Sequence, residues 1–134
     1  LLDRIDMHIE VVPVLYNELR ASKKEETSEI IANRVKNARE IQNHRFKNEV
    51  GTYTNAQMNS SQLKKYCTIT SEGEAILKMA MEKFQLSARA FDRIIKVSRS
   101  IADLDNSNTI QINHISEALQ YRNLDKSNWG QYKN

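Results

Sequence analysis

At 134 residues with one cysteine, three glycines and one proline, the chain excludes an internal disulfide, a cysteine-rich zinc site and a turn-dense β fold. A formal net charge of +3 and a pI near 9.0 permit contact with phosphate or nucleic acid without arguing for either. The length fits one domain with a core over most of the chain, and no apolar run approaches the roughly 18 residues that a membrane span needs.

Leu1 and Leu2 run at once into Asp3, Arg4 and Asp6, so no signal peptide is expected. A start without methionine reads as an excised piece of a longer protein. Residues 4 to 12 alternate in part, Ile5, Met7, Ile9 and Val11 against Asp6, His8 and Glu10, the period of a half-buried strand. A lone strand has nothing to pair with, so this segment implies a sheet outside the chain. Pro13 ends the pattern, and 14–26 reads as a linker with one helical turn around Tyr16 to Leu19.

A long helix is expected from about Ser28 to Phe46, capped by Thr27 or Ser28, with Ile30, Ile31, Val35, Ala38 and Ile41 on its apolar arc. Arg34, Gln42 and Arg45 project into the same arc. They are expected to pair with carboxylates or carbonyls at the margin of a core, or else to face a neighbouring subunit or domain. After a polar loop from Gly51 to Ser60, Ser60 or Ser61 caps a short helix through Gln62 to Cys67. Thr70 or Ser71 caps the next, with Ile76, Leu77, Ala80, Met81 and Phe84 inward.

The stretch Leu86 to Leu104, LSARAFDRIIKVSRSIADL, is the most informative helix. At about 100° per residue, Phe91, Ile94, Ile95, Ser98, Ile101 and Ala102 gather on one face. Arg89, Arg93, Lys96, Ser100 and Asp103 line the opposite face. Ser87 is placed as an N-cap, which leaves Arg89 on the first turn beside the positive helix end, an arrangement that suits a phosphate. From spacing alone, the commoner role of such an arginine is to solvate an exposed helix start. Asp105 to Thr109 forms a turn, Asn113 caps a last helix with Ile115, Ala118 and Leu119 inward, and Asp125 to Asn134 is polar, with Trp129 free to dock locally. The fold class is therefore mainly α, a bundle of four to five helices with one N-terminal strand.

Enzymatic signatures are missing. Three scattered glycines build neither a phosphate loop nor a dinucleotide turn. His8, His44 and His114 lie in different elements as surface or boundary residues, with no metal-ligand spacing. Cys67 fits a reducing cytosol as a small buried hydrophobe rather than a nucleophile. Arg4 either pairs with Asp3 or Asp6 at the surface, or extends from the strand end into a neighbouring subunit's site and neutralises charge on a transferred phosphoryl group.

LLDRIDMHIEV, NAREIQNHRF, LSARAFDRIIKVSRSIADL and HISEALQYRNLD, in this order, resemble the C-terminal region of magnesium-chelatase-like AAA+ ATPases, specifically the competence-associated ComM/YifB-type branch. The likeness runs from Leu1 to about Lys126. It implies a division into 1–13, the last strand segment of the ATPase core; 14–26, a linker; 27–126, the helical lid; and 127–134, a polar tail. LLDRID is similar to the segment carrying the arginine finger, which maps to Arg4. LSARA is similar to the sensor-2 motif, which maps to Arg89.

The resemblance implies ATP with magnesium in the full protein, bound between core and lid and between subunits of a ring, commonly a hexamer, in the cytoplasm and away from membranes. The phosphate loop, Walker B acids and first sensor are expected upstream of Leu1, so this piece alone is not expected to hydrolyse ATP or bind it tightly, and it holds no metal. Asn106-Ser107-Asn108 replaces a glycine-containing turn, which asparagine accommodates by accepting positive φ, and Ser98 replaces a usual alanine. DNA is the implied substrate of the full protein. The basic residues Arg34, Lys36, Arg39, Arg45, Lys47, Lys64 and Lys65 are compatible with it but spread around their helices. The alternatives are the ATPase motor of a metal-insertion complex and a non-catalytic helical interaction module.

Overall fold

The computed structural model of the chain describes residues 4–20 and 25–122. The order of helices is α1 (Tyr16–Arg20), α2 (Ser28–Arg45), α3 (Ser60–Tyr66), α4 (Ser71–Lys83), α5 (Ala88–Leu104) and α6 (Ile112–Gln120). A 3-10 turn, Asn55–Gln57, sits between α2 and α3. The mainly helical expectation holds, with α1 a solvent-facing extra turn that buries no residue.

Side-chain caps set most helix starts. The Thr27 hydroxyl accepts from the Ile30 amide (3.2 Å) and the Thr70 hydroxyl from the Gly73 amide (3.2 Å). Asn59, not Ser60 or Ser61, caps α3: its Oδ1 accepts from the Gln62 amide while Gln62 Oε1 accepts from the Asn59 amide, both at 2.9 Å, the reciprocal pattern of a capping box. The last helix likewise starts earlier than Asn113. Its cap is Gln111, whose amide donates to His114 Nδ1 at 2.9 Å. Because Nδ1 accepts, the neutral ring carries its proton on Nε2, which reaches Asp105 Oδ2 at 2.8 Å. His114 thereby joins the end of α5 to the start of α6.

The turns after α4 and α5 are Schellman closures without glycine. Gln85 and Asn106 take φ of 48° and 53°, and the amides two residues past each C-cap, Leu86 and Ser107, reach back to the carbonyls of Met81 (3.2 Å) and Ala102 (2.8 Å). Asparagine thus fills the left-handed position, as its sequence position predicts. Between α3 and α4 the chain forms a parallel bridge, Ile69 to Ile110, fixed by the Thr70 amide to the Ile110 carbonyl (3.0 Å) and the Ile110 amide to the Thr68 carbonyl (2.8 Å). Gly73 lies against this bridge: a Cβ there would stand 2.9 Å from Ile69 Cγ2 and 3.2 Å from the capping Thr70 hydroxyl. Gly73→Ala is expected to lower stability by about 1 to 2 kcal/mol through overpacking, read as a lower urea midpoint at unchanged slope.

The core gathers Phe46, Met58, Leu63, Leu77, Ile94, Ile110 and Ile115 around α5, the central helix. Phe46 meets the Tyr66 ring edge-on at 5.4 Å, and Glu49 ties the loop after α2 to α3 by accepting from Tyr66 Oη (2.6 Å), Gln62 Nε2 (3.2 Å) and Lys65 Nζ (3.3 Å). Those donors hold the Glu49 carboxyl below its ordinary range, Tyr66 most of all.

The N-terminal strand is not formed among the described residues. Its segment makes one parallel bridge, His8 to Arg122, a pairing with the short stretch just after α6 rather than with a neighbouring strand. Nor do the faces alternate in burial, since His8 alone of residues 4–12 is buried. His8, expected at the surface, is buried, while Met7, Ile9 and Val11 are exposed. Trp129, the tail 127–134 and the last residues of the 27–126 lid lie outside the described residues.

Candidate functional site

Helix α5 carries the strongest amphipathic pattern in the chain. Ser87 Oγ accepts from the Ala90 amide at 3.1 Å, and Ala90, Ile94, Ile95, Ser98 and Ala102 are buried. Ser98 fits the packed face because its hydroxyl returns a bond to the Ile94 carbonyl (2.7 Å), which satisfies the polar atom inside the helix.

Along the opposite stripe, nearly every polar side chain is already engaged. Arg93 pairs with Asp6. Lys96 donates to the Ala56 carbonyl (3.2 Å), and Ser100 Oγ accepts from Asn55 Nδ2 (3.1 Å). Asp103 does not lie on an exposed face, contrary to the helical-wheel expectation. It is 1% exposed, covered by the end of α2 and by the 3-10 turn. Arg45 donates to both Asp103 oxygens (2.7 and 2.6 Å), Asn55 Nδ2 donates to one (2.8 Å) and Arg99 Nε to the other (3.2 Å). Arg89, exposed on the first turn, makes no hydrogen bond or ion pair among the described residues.

Arg99, which carries no motif of its own, stands at i, i+4 spacing to Asp103. It is 1% exposed, and its remaining donors close on the carbonyls of Asn108 (2.9 Å), Tyr66 (3.4 Å) and Ser107. Burial pulls its pKa below the usual guanidinium value, with Asp103 opposing. The cleft beside it, about 500 Å³ and lined by Arg45, Lys65, Arg99 and the 106–108 turn, therefore offers no free guanidinium donor from Arg99. Burial also pushes the Cys67 thiol up to about 11, which keeps it protonated and unreactive near neutral pH.

Arg34 and Gln42 are also paired, though not as expected: the Arg34 bridge is exposed rather than at a core margin, and Gln42 meets a backbone amide rather than a carboxylate or carbonyl. Arg34 forms a bidentate bridge with Glu26 (3.1 and 3.0 Å), and Gln42 Oε1 accepts from the Asn55 amide (3.0 Å). Of the basic residues compatible with DNA, Arg34, Arg45 and Lys65 are thus held by Glu26, Asp103 and Glu49. Among the described residues no three of His, Cys, Asp and Glu converge to hold a metal ion, and no helix is long and apolar enough to cross a membrane.

Arg4 is exposed at the N-terminal edge of the described chain. The segment after it docks on the helical body at three points: Asp6 on Arg93, the Ile5 carbonyl on Arg122 Nη1 (2.9 Å), and the His8 amide on the Tyr121 carbonyl. Arg4 and Arg89 thus both flank the Asp6–Arg93 contact.

Comparison with known proteins agrees with this architecture. The profile of the family described as magnesium chelatase, subunit ChlI C-terminal, matches residues 25–122. Competence protein ComM of Haemophilus influenzae is 38% identical over 122 residues, covering 90% of this chain and 23% of the relative. Uncharacterized protein YifB of Escherichia coli is 34% identical over 126 residues, covering 93% of this chain and 24% of the relative. An uncharacterized protein of Mycobacterium bovis is 30% identical over 122 residues, 91% of this chain and 24% of its own length. The chain spans about a quarter of the length of these relatives.

Proposed function

The chain belongs to the magnesium chelatase ChlI C-terminal family, with relatives of the ComM and YifB type, and on that premise we propose that it is the helical lid of a ring-forming AAA+ ATPase. In this reading Arg89 is the sensor-2 arginine and Arg4 the arginine finger. One observation supports it above the rest: Arg89, on the first turn of α5, makes no hydrogen bond or ion pair with the described residues, while Arg93, Lys96, Ser100 and Asp103 further along the stripe are engaged. A guanidinium on the first turn of a helix of 17 residues has the helix's positive end beside it, and an anion is the natural partner.

The fit to ATP is one corner of a site. The chain supplies cations for phosphate oxygens, and no described carboxylate cluster to hold magnesium; both the phosphate loop and the acids that bind the metal are assigned to the upstream core. Bound ATP supplies the phosphoryl transfer. Arg89 orients a phosphate oxygen as the lid closes, and Arg4 neutralises charge that develops on the transferred group. Lid movement after hydrolysis then moves the ring. The name of ComM supports a competence-linked role, for which we propose DNA as the substrate, whereas the family description supports a second reading, the motor of a metal-insertion complex; stimulation of turnover by duplex DNA separates the two.

The test is ATP turnover by the full-length protein. Arg89→Ala is expected to lower kcat about 10²-fold, the usual cost of one aimed donor. Turnover equal to wild type would overturn the sensor assignment.

A further inference from the structure

We propose that Asp6 and Arg93 form a positioning pair that fixes the Arg4 segment to the Arg89 helix, so that the two arginines move as one body. The proposal rests on the nucleotide-site reading above and adds to it the device that couples its two cations. Arg93 lies four residues after Arg89, about 6 Å along the helix. Asp6 lies two residues after Arg4, at most about 7 Å of extended chain. The ion pair between them is therefore within one turn of one arginine and two residues of the other.

Three features separate this contact from an incidental surface pair. Arg93 is partly enclosed, its side chain 31% exposed, and its Nε is buried without a hydrogen-bond partner among the described residues. The side chain is thus held in one direction rather than sampling solvent. Second, the flanking backbone is anchored independently, Ile5 through Arg122 and His8 through Tyr121, so Asp6 has little freedom to look for other partners. Third, Asp6 and Met7 form one wall of a groove whose other walls include Val97, Ile101, Leu104 and Tyr121, so the segment runs alongside α5 and the end of α6. Most of the docking comes from these anchors. The ion pair sets the direction in which the chain leaves toward Arg4.

An ion pair this exposed shifts a docked–undocked balance by a factor of about five or less, and the expected effects are of that size. In the full-length protein, Asp6→Asn and Arg93→Gln each lower kcat for ATP hydrolysis, by at most about fivefold, with KM for ATP unchanged. The charge reversal, Asp6→Arg with Arg93→Asp, returns kcat to within about twofold of wild type. Docking is read separately by spin labels at positions 4 and 89 (Arg4→Cys and Arg89→Cys, in a background with all other cysteines replaced). Their distance distribution is expected to be narrow and to broaden when Asp6→Asn is added. Equal distributions with and without Asp6→Asn overturn the pair, whatever turnover does. A broadened distribution with unchanged kcat, in a protein that Arg89→Ala impairs, overturns its role in positioning. Wild-type turnover in both Arg4→Ala and Arg89→Ala overturns the nucleotide reading itself, and the catalytic role of the pair with it.

Discussion

Asp103→Ala is expected to remove about 3 to 5 kcal/mol of stability, the cost of stripping one partner from a buried ion network. The carboxylate lies between two arginines, with Oδ1 2.6 Å from Arg45 Nη2 and 3.2 Å from Arg99 Nη2, and its Oδ2 also accepts from Asn55. Without it, two guanidinium groups remain in the interior with like charges close together and donors unsatisfied. A domain of this size holds only about 5 to 15 kcal/mol in total, so the variant sits near the edge of folding. The expected measurement is a large fall in urea midpoint by far-ultraviolet circular dichroism, at unchanged slope. Glu26→Gln is the matched control, because its partner Arg34 and Glu26 itself are 45% and 54% exposed; its midpoint is expected to stay close to wild type. A loss under about 1 kcal/mol for Asp103→Ala would show that the network is replaceable by water.

The same residue marks where sequence reading reaches its limit. Caps and periodicity are local, and they transferred well: Thr27, Thr70 and Ser87 cap the helices they were assigned to, and α2 ends at Arg45 beside the expected Phe46. A helical wheel, however, gives angles and not neighbours. Asp103 has the angle of a solvent-facing residue, yet Arg45, 58 positions earlier, and Asn55, 48 positions earlier, cover it. Nothing in the spacing of α5 reports that a second surface closes over its polar stripe. His8 fails for a related reason: a two-residue period buries a face only where a sheet pairs with it, and here a single bridge buries His8 while residues 4–7 and 9–12 stay exposed. Motif resemblance and helix-end geometry single out Arg4 and Arg89 as candidates. That they flank one ion pair was not legible, because Asp6 and Arg93 are 87 positions apart.

Arg4→Ala in the full-length protein is expected to lower kcat for ATP hydrolysis by about 10³-fold or more, since a finger of this kind contributes about 10³ to 10⁵. Arg4→Lys is expected to recover little, because a compact ammonium does not reproduce the planar fork of a guanidinium on a phosphoryl group. The location of Arg4 makes a sharper test possible. It is exposed at the edge of the helical body, with no partner among the described residues, and in the ring reading it reaches the nucleotide of the next subunit. Arg4→Ala then keeps a sound nucleotide pocket but gives its neighbour no finger. A phosphate-loop variant has the opposite defect. Each is inactive alone, yet in a mixed ring an Arg4→Ala subunit can receive a finger from a phosphate-loop variant beside it. Mixing the two is therefore expected to restore part of the turnover, in proportion to the number of such boundaries. Two inert proteins that stay inert on mixing, while still assembling together, would place the finger within its own subunit. A single-subunit finger would also change the role of the Asp6–Arg93 pair. The pair would then align two cations on one chain's own nucleotide, whereas recovery on mixing makes it a link between lid movement in one subunit and hydrolysis in the next.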